Sequence, residues 1–571
     1  MNEMMVRKFT EVFGANGDEE DPTKSFVVPI VPTLGNNDIL PHNIFEVGPN
    51  KWTKTYLDIW REFIPEEQRH QFDQGGWFNV EVIPNHLAVF SLNSLYFFDN
   101  NAAVDGCAAK SEPGYRQMEW LRIQLQFLRE KGMKAIIIGH VPPARTAGKQ
   151  SWDETCWQKY TLWMRQYRDV IVTTLYGHMN YDHFMLQDFE DINRDVQNGV
   201  EMGPKMTAKR GGLTVSSAAS YLNELRATFA GVPKKPKSLR KAKAALDESA
   251  MVQDMSDDAR PEWEVDALVK HGKSKKDKKK SDRKKKEKGE RKYLDEIGGL
   301  FGERFSMSFV SPSVVPNYFP TIRIYEYNIT GLENAHPRSV VMPALEDVPD
   351  VDDVETSRKK KNKKRRFRVP EPPSKAAPPG PAYSPQSLSL LGYTQYFANL
   401  THINNDFVAH DDGAEDAVAV KEEDTKAGTK KWSEGKHKGK EPHDKKEHEP
   451  RPNKFKFEML YNTWADGIYN MTDLTMPRYL DLAQRIARSR GKGSDIKIED
   501  NEAEINQEKE DGDDLQSERK GGHGKKGKKH KGKKGKKHHR GGKINEVWFT
   551  FVRRAFVGTM EAEEIEDQFG P

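Results

Sequence analysis

Between residues 25 and 190, short continuous apolar runs alternate with stretches in which apolar residues recur at helical spacing. Short apolar runs predict buried strands, which we place at 25–32, 77–83, 86–97, 134–139 and 169–176. Apolar residues that recur at helical spacing predict amphipathic helices at 51–63, 114–131 and 153–167. Strands that alternate with helices in this way predict an α/β layered fold.

Beyond residue 190, structure is expected only in islands. A strand pair at 304–328 would close the sheet. We divide the chain into these segments: a core at 1–232, a disordered basic insertion at 233–292, closing strands at 293–332, a disordered linker at 333–391, a C-terminal appendage at 392–488 with a disordered insertion at 408–453, a disordered acidic and then Gly/Lys/His-rich tract at 489–543, and a C-terminal segment at 544–571.

The composition explains the stretches between the islands. Mean hydropathy is −0.84 and 31% of the 571 residues are charged, so much of the chain cannot bury a core. Lysine-rich runs are offset by acidic stretches, which leaves a formal net charge of only +4. The lysine-rich runs lie at 273–292, 359–368, 430–446 and 520–543. Charge patterned in this way is typical of disordered insertions.

Polar side chains that can bind metal ions follow three of the predicted strands. Asn36 follows the first strand within the sequence GNND, His140 follows the fourth within GHVPP, and His178 follows the fifth within GHMN. Glycine allows the backbone to turn sharply where a strand ends, and open α/β sheets build their sites at such ends. Carboxamide oxygens and imidazole nitrogens are ligands for divalent cations, so the three segments together predict a metal site.

These segments resemble the Gly-Asn-His-Asp/Glu, Gly-His and Gly-His-x-His blocks of calcineurin-like metallophosphoesterases. More narrowly, the chain resembles the fungal endopolyphosphatases, which are related to the acid sphingomyelinases. The narrower resemblance rests on TLGNNDILPHNIF at 33–45, SLNSLYF at 91–97, GHVPPAR at 139–145, SWDETCWQKY at 151–160 and YGHMNYDHF at 176–184. It is dense over residues 24–190 and implies a calcineurin-like α/β sandwich.

The resemblance implies a metal-dependent enzyme that hydrolyses internal phosphoanhydride bonds of inorganic polyphosphate. Two divalent ions would be bound, chosen from Mn²⁺, Mg²⁺, Co²⁺ and Zn²⁺. Asn36, His140 and His178 would hold one ion, and Asn180 stands where the family usually has a second histidine for the other. Because a carboxamide is a harder ligand than an imidazole, this difference shifts the expected preference away from Zn²⁺.

Four further residues near these motifs have roles that the sequence leaves open. Asn37 replaces a family histidine that assists the leaving group, a change that suits a phosphate leaving group because phosphate is already a weak base. His42 is either a substitute proton donor or a capping residue. Arg145 would hold a substrate phosphate, or is a solvated loop residue. His183 is either a neighbouring ligand or a histidine hydrogen-bonded beneath the loop.

The family's other metal position takes an Asp-x-His and a bridging Asp from strands that precede the Gly-Asn segment. Only 34 residues precede Gly35, and they contain no Asp-x-His; residues 1–13 are predicted as an amphipathic helix. We therefore expect a truncated gene model that lacks the front strands of the fold and an N-terminal membrane anchor. On this expectation, the chain alone shows little polyphosphatase activity.

The cysteines and the glycosylation sequons bear on location. Cys107 and Cys156 are the only two cysteines, and the resemblance favours a disulfide between them, with two buried thiols as the alternative. Sequons begin at Asn328, Asn399 and Asn470. Together with the family's location, they predict the lumenal side of the vacuolar membrane, reached through the secretory pathway.

Two other functions compete with polyphosphate hydrolysis. One is a sphingomyelinase-like or nucleotide phosphodiesterase, against which the PPAR and SWDETC sequences argue. The other is a polyanion-binding protein without catalysis. Lysine-rich tracts bind polyanions through counterion release, although the sequence favours their interpretation as solvated tails. We expect inorganic polyphosphate as the partner, with no specific nucleic acid.

Overall fold

The computed structural model describes residues 1–14, 26–192, 217–236, 278–315, 318–332, 369–374, 377, 379–404, 452–488 and 545–570. The lysine-rich runs at 359–368, 430–446 and 520–543 lie outside these residues. The predicted tract at 489–543 also lies outside them, as does the predicted insertion at 408–453 up to residue 451.

A six-stranded sheet forms the centre of the fold. Its strands are β1 (Phe78–Ile83), β2 (Leu87–Ser91), β3 (Lys134–Ile138), β4 (Ile171–Tyr176), β5 (His183–Asp188) and β6 (Phe305–Val310). The spatial order is β1-β2-β3-β4-β6-β5. Strands β2, β3, β4 and β6 run parallel to one another, whereas the outer strands β1 and β5 pair antiparallel with β2 and β6. The central strands are rich in Ile, Val and Ala, as expected for parallel strands covered on both faces.

Two crossover helices connect the parallel strands. Pro113–Lys131 joins β2 to β3, and Glu154–Gln166 joins β3 to β4. A proline begins the first helix and Gly132, with a φ of 75°, ends it. Asp153 caps the second helix, because its side chain accepts a hydrogen bond from the N–H of Thr155. The crossovers bring the carboxyl ends of β2, β3 and β4 to one edge of the sheet.

A second, antiparallel sheet packs beside the first. It contains β7 (Thr321–Tyr327), β8 (Leu390–Phe397) and β9 (Glu458–Asn462) in that order. Phe309 of β6 contacts Tyr325 of β7 with ring centroids 5.9 Å apart, and Tyr479 lies 5.2 Å from the same phenylalanine. Two sheets with covering helices confirm the predicted α/β layered architecture.

The other described helices surround these sheets. They are Asn2–Phe13, Lys51–Ile59, Arg69–Gly75, Ala218–Ala230, Lys278–Ile297, Leu400–Asn404, Met476–Ile486, Glu546–Ala555 and Ala562–Phe569, with short 3₁₀ turns at Glu66–Gln68 and Ser94–Tyr96. Within the described ranges, none of the helices combines the length and the apolar character needed to cross a bilayer.

The first predicted strand, at 25–32, is wrong. In this stretch, Phe26 forms only an isolated bridge with Gly14. Pro29 and Pro32 explain the difference, because proline has no N–H to donate to a sheet ladder. The chain is held to the sheet by side chains instead: Ser91 Oγ donates to the carbonyl of Pro32 at 2.7 Å, and Thr33 Oγ1 donates to that of Leu92 at 3.1 Å.

Two other predicted strands differ in extent or pairing. The strand predicted at 86–97 ends at Ser91, because Asn93 accepts a hydrogen bond from the N–H of Leu95 and begins a 3₁₀ turn. The strand pair predicted at 304–328 does not pair with itself. β6 lies between β4 and β5 in the first sheet, whereas β7 pairs with β8 in the second. Pro312 and Pro320 lie in the connection that redirects the chain between the two sheets.

Two segments predicted to be disordered contribute to the fold. Residues 278–292 belong to the helix Lys278–Ile297, whose Tyr293 and Ile297 are buried in a small cluster with Phe305. Tyr383, in the predicted linker at 333–391, is also buried in this cluster and donates a hydrogen bond to the carbonyl of Phe305 at 2.8 Å. Their partners are distant in sequence, so local composition alone could not identify them.

Candidate metal centre

Asn36, His140 and His178 meet at the carboxyl edge of the central sheet. Nε2 of His140 lies 2.7 Å from Oδ1 of Asn36, and Nδ1 of His178 lies 3.1 Å from the same oxygen. The two histidine nitrogens are 3.3 Å apart. Three atoms that can bind a metal ion therefore converge from three separate segments of the chain.

A neighbouring asparagine fixes the orientation of the Asn36 carboxamide. Nδ2 of Asn36 donates to Oδ1 of Asn43 at 2.9 Å and to Oδ1 of Asn37 at 3.3 Å. Because the amide nitrogen is engaged on this side, the amide oxygen faces the two imidazoles. Asn43 has a φ of 69°, a left-handed conformation that asparagine tolerates better than most residues. Sequence reasoning missed Asn43, although it lies in the same motif as Asn36.

The glycine before Asn36 lies against the site. The N–H of Gly35 donates to Oδ2 of Asp38 at 2.8 Å. A Cβ atom at Gly35 would lie 3.0 Å from that carboxylate oxygen and 3.2 Å from the His140 ring. A larger residue would therefore displace either the turn or the imidazole, which explains why this turn carries glycine.

Ser94 positions the backbone that carries His140. Its Oγ accepts hydrogen bonds from the N–H of His140 at 3.0 Å and from the N–H of Val141 at 2.8 Å. Ser94 is completely buried in the 3₁₀ turn that follows β2. The turn after β2 therefore fixes the loop after β3, which gives the SLNSLYF sequence a structural role.

His178 is held by its backbone and by an aromatic neighbour. The N–H of Gly177 donates to the carbonyl of His140 at 3.0 Å, which ties the two histidine loops together. The His178 ring lies edge-on to Phe98 with centroids 5.2 Å apart. Both His178 and Asn180 have positive φ, at 69° and 64°. In the described part of the chain, no side-chain hydrogen bond links Asn180 to the other three residues.

Burial keeps both imidazoles neutral. It lowers the pKa of His140 to about 4, against an opposing effect of the Asp38 carboxylate. Burial also lowers the pKa of His178 to about 3, with smaller contributions from His140 and the ammonium of Lys149. Because the neutral imidazole is the form that binds a metal ion, the site is ready to bind a cation at neutral pH.

The donor set fits a divalent cation. Adjacent ligands of an octahedral ion with bonds of about 2.1 Å lie roughly 3.0 Å apart, close to the separations within the cluster. One carboxamide oxygen and two neutral nitrogens suit a borderline or moderately hard ion. The cluster has only two histidines beside its carboxamide, and nowhere in the described residues are three His, Cys, Asp or Glu side chains grouped so that they could hold a metal ion.

The other candidate residues have different surroundings. His42 is exposed on the loop beside Asn43. Arg145 pairs with Glu154, with Nη1 and Oε1 2.8 Å apart. His183 is buried, with Nδ1 3.1 Å from the carbonyl of Tyr181 and Nε2 3.3 Å from the hydroxyl of Tyr221. Of the two roles that the sequence leaves open for His183, these contacts correspond to a histidine hydrogen-bonded beneath the loop. Catalytic roles for His42 and Arg145 stay predictions.

Asp182 joins the loop of Asn180 to the C-terminal part of the chain. Its N–H donates to the carbonyl of Ala555 at 2.9 Å. Its carboxylate lies 2.7 Å from the guanidinium of Arg323 and 3.7 Å from that of Arg554. All three charged side chains are at least nine-tenths buried, so Asp182 is the centre of a buried ionic network next to the metal centre.

The two cysteines form a disulfide. Cys107 and Cys156 are bonded, with Cα atoms 4.9 Å apart, which confirms the predicted pairing. The N–H of Cys107 also donates to Oγ1 of Thr155 at 2.8 Å. The bridge ties the loop after Phe98 to the first turn of the helix Glu154–Gln166.

A layered α/β fold with carboxamide and imidazole donors at its strand ends is the arrangement of the metallophosphoesterases. No model of a protein family matches the chain. The chain is 42% identical to an endopolyphosphatase of Neurospora crassa over 530 residues, which cover 86% of this chain and 65% of the relative. It is 33% identical to an endopolyphosphatase of Candida glabrata over 518 residues, which cover 86% of this chain and 70% of the relative.

An endopolyphosphatase of Saccharomyces cerevisiae is 34% identical over 433 residues, which cover 71% of this chain and 62% of the relative. The chain belongs to the endopolyphosphatase family. It spans about two thirds of the length of these curated relatives, between 62% and 70%.

Proposed function

We propose that this protein is a metal-dependent hydrolase that cuts internal phosphoanhydride bonds of inorganic polyphosphate. The observation that carries the proposal is the convergence of Asn36, His140 and His178 in a member of the endopolyphosphatase family. The chemistry of the cluster supports the reaction type, and the names of the relatives support the substrate.

The residues of the cluster would bind a divalent ion, and their neighbours hold these ligands in position. Asn36, His140 and His178 would hold one divalent ion. We favour Mn²⁺, Mg²⁺ or Co²⁺ over Zn²⁺ because Asn180 offers a carboxamide where the family usually has a histidine for the other ion. Bound divalent ions supply charge neutralisation for phosphoryl oxygens and lower the pKa of a water molecule. Asn43 keeps the carboxamide oxygen directed at the imidazoles, and Ser94 fixes the backbone of His140. We propose that Asn180 contributes to a second ion.

The residue beside Asn36 favours an anhydride substrate. Oδ1 of Asn37 accepts a hydrogen bond from Nδ2 of Asn36, and a carboxamide cannot act as a general acid. The leaving group of a phosphoanhydride is itself a phosphate and needs little protonation, whereas the alkoxide of a phosphate ester needs much more. His42 is exposed on the same loop and is the candidate donor for any proton that is required.

We further propose that the protein acts on the lumenal side of the vacuolar membrane. The Cys107–Cys156 disulfide supports this proposal, because disulfides persist in oxidising compartments. The sequon residue Asn328 directly follows β7, Asn399 lies two residues after the end of β8, and Asn470 is exposed. Treatment with an endoglycosidase should increase the electrophoretic mobility of the native protein. Unchanged mobility, with the protein in the cytosolic fraction, would contradict this location.

The function is tested with the protein purified from its native organism and with His178→Ala introduced at the native gene. We expect the wild-type protein with Mn²⁺ to convert long polyphosphate to intermediate lengths on a gel before phosphate accumulates. His178→Ala should lower the rate at least about 100-fold, the upper range for losing a residue that merely supports a ligand. His70→Ala, on the exposed part of another helix, is the matched control. Release of phosphate from chain ends alone would contradict the proposal.

A further inference from the structure

Two cationic side chains on the loop after His140 differ in their surroundings. Arg145 forms an ion pair with Glu154 at 2.8 Å, and its guanidinium lies 4.1 Å over the ring of Trp157. Lys149 is half-buried, and the described part of the chain gives its ammonium no carboxylate partner within ion-pair distance. The aromatic ring of Tyr221 lies 6.0 Å from its Nζ atom.

The backbone around Lys149 is held in place. The N–H of Thr146 donates to the carbonyl of Lys149 at 2.8 Å, and an isolated bridge pairs Arg145 with Gln150. The N–H of Gly148 donates to Oε2 of Glu224 at 2.8 Å, which engages that carboxylate. A Cβ atom at Gly148 would lie 2.5 Å from Oε1 of Glu224, so a larger residue would displace this carboxylate. The lysine side chain therefore extends from a fixed turn.

Tyr221 links Lys149 to the loop that follows His178. The Tyr221 ring is near the ammonium, and its hydroxyl lies 3.3 Å from Nε2 of the buried His183. Burial lowers the pKa of Lys149, and no anion offsets this effect. Both Lys149 and His183 therefore contact Tyr221, which places the ammonium near the loop that follows His178.

A half-buried ammonium with no anionic partner is costly unless a ligand supplies the anion. A condensed phosphate carries about one negative charge per phosphate group, and lysine binds phosphate as a point charge. We propose that Lys149, rather than the ion-paired Arg145, binds a phosphoryl oxygen of the substrate chain beside the metal centre. This inference rests on the proposed function, because it requires a substrate with adjacent phosphates.

The test compares Lys149→Met, Lys149→Gln and Lys149→Arg with Lys131→Met, all in the full protein expressed from the native gene. Lys131 is exposed and precedes β3, at the opposite edge of the sheet from His140. Two quantities are measured in the presence of Mn²⁺: the KM for polyphosphate and the Kd for methylenediphosphonate, a non-hydrolysable analogue of two linked phosphates.

Lys149→Met and Lys149→Gln should raise both the KM and the Kd about 10-fold, the typical effect of losing a hydrogen bond to a charged group. Lys149→Arg should restore most of the binding, and Lys131→Met should change neither quantity. The affinity for Mn²⁺ should stay within about 2-fold of wild type in all variants. A merely structural role would instead lower the melting temperature and leave the Kd of the folded fraction unchanged.

The outcomes separate this inference from the proposed function. If the wild-type protein hydrolyses polyphosphate while both neutral variants keep wild-type KM and Kd, the role of Lys149 is overturned and the function stands. If the wild-type protein does not hydrolyse polyphosphate but binds methylenediphosphonate in a Lys149-dependent way, the function fails and the anion site stands.

Discussion

Nε2 of His140 lies 2.7 Å from Oδ1 of Asn36, although 104 positions separate the two residues in the chain. Neither group carries a charge in the state that burial favours, so electrostatic attraction between ions does not hold them together. The contact forms because the loops that carry them are fixed separately to the sheet. A shared metal ion would account for the third donor, Nδ1 of His178, at 3.1 Å from the same oxygen.

Asn43 is expected to control metal affinity without touching the metal. Asn43→Gly keeps a residue suited to the φ of 69° but removes the acceptor for Nδ2 of Asn36, so the carboxamide can rotate. We expect a roughly 10- to 100-fold weaker Kd for Mn²⁺ by isothermal titration, the usual range for a residue that orients a ligand. Asn43→Asp retains an acceptor and should stay closer to wild type. Equal affinity in all three proteins would remove Asn43 from the site.

The histidines could be predicted from sequence because each follows an apolar strand of the central sheet. His140 and His178 follow β3 and β4, which are adjacent and parallel, so the strand ends fix their proximity. Asn36 also lies at this edge, although the strand that the sequence predicts before it, at 25–32, does not form. Asn43 and Ser94 could not be found in this way, because their hydrogen bonds depend on how the loops pack.

The disulfide is expected to contribute to the stability of the fold and to have little effect on metal binding. Its cysteines are 49 positions apart, and the chain-entropy model gives about 4 kcal/mol for a loop of that size. The double variant Cys107→Ala and Cys156→Ala should therefore lower the free energy of unfolding by up to about 4 kcal/mol in urea titrations. The Kd for Mn²⁺ should change less than about 3-fold, since neither cysteine contacts the donor atoms. A large loss of metal affinity without destabilisation would contradict this division.

The buried network around Asp182 should be costly to break. Asp182→Asn leaves Arg323 and Arg554 with no carboxylate between them, and removing one partner of a buried pair typically costs about 3–5 kcal/mol. We expect a loss of that size in chemical unfolding. Glu11→Gln removes the exposed ion pair with Lys8 and should change stability little. A similar small effect of Asp182→Asn would show that the network contributes little.

The Asp182 network and the Lys149 site also show the limits of sequence reasoning. Asp182 lies in a quoted motif, but its partner Arg554 lies 372 positions later, beyond stretches with no pattern to link them. From the sequence, Arg145 is either a ligand for a substrate phosphate or a solvated loop residue. The structure pairs it with Glu154, a contact that depends on how the helix Glu154–Gln166 packs against the loop. Ion pairing of this kind decides whether Arg145 or Lys149 is available to a ligand, and the sequence does not show it.

The most direct test of the central claim is pulsed EPR of Mn²⁺ bound to the wild-type protein and to His140→Ala and His178→Ala. Two imidazole ligands predict nuclear modulation from two nitrogens in the wild-type protein and from one in each variant, with weaker Mn²⁺ binding in both. The measurement does not depend on turnover, so it examines the cluster of Asn36, His140 and His178 by itself. Tightly bound Mn²⁺ with no nitrogen modulation, or modulation that is unchanged in both variants, would contradict the assignment of this cluster as the metal centre.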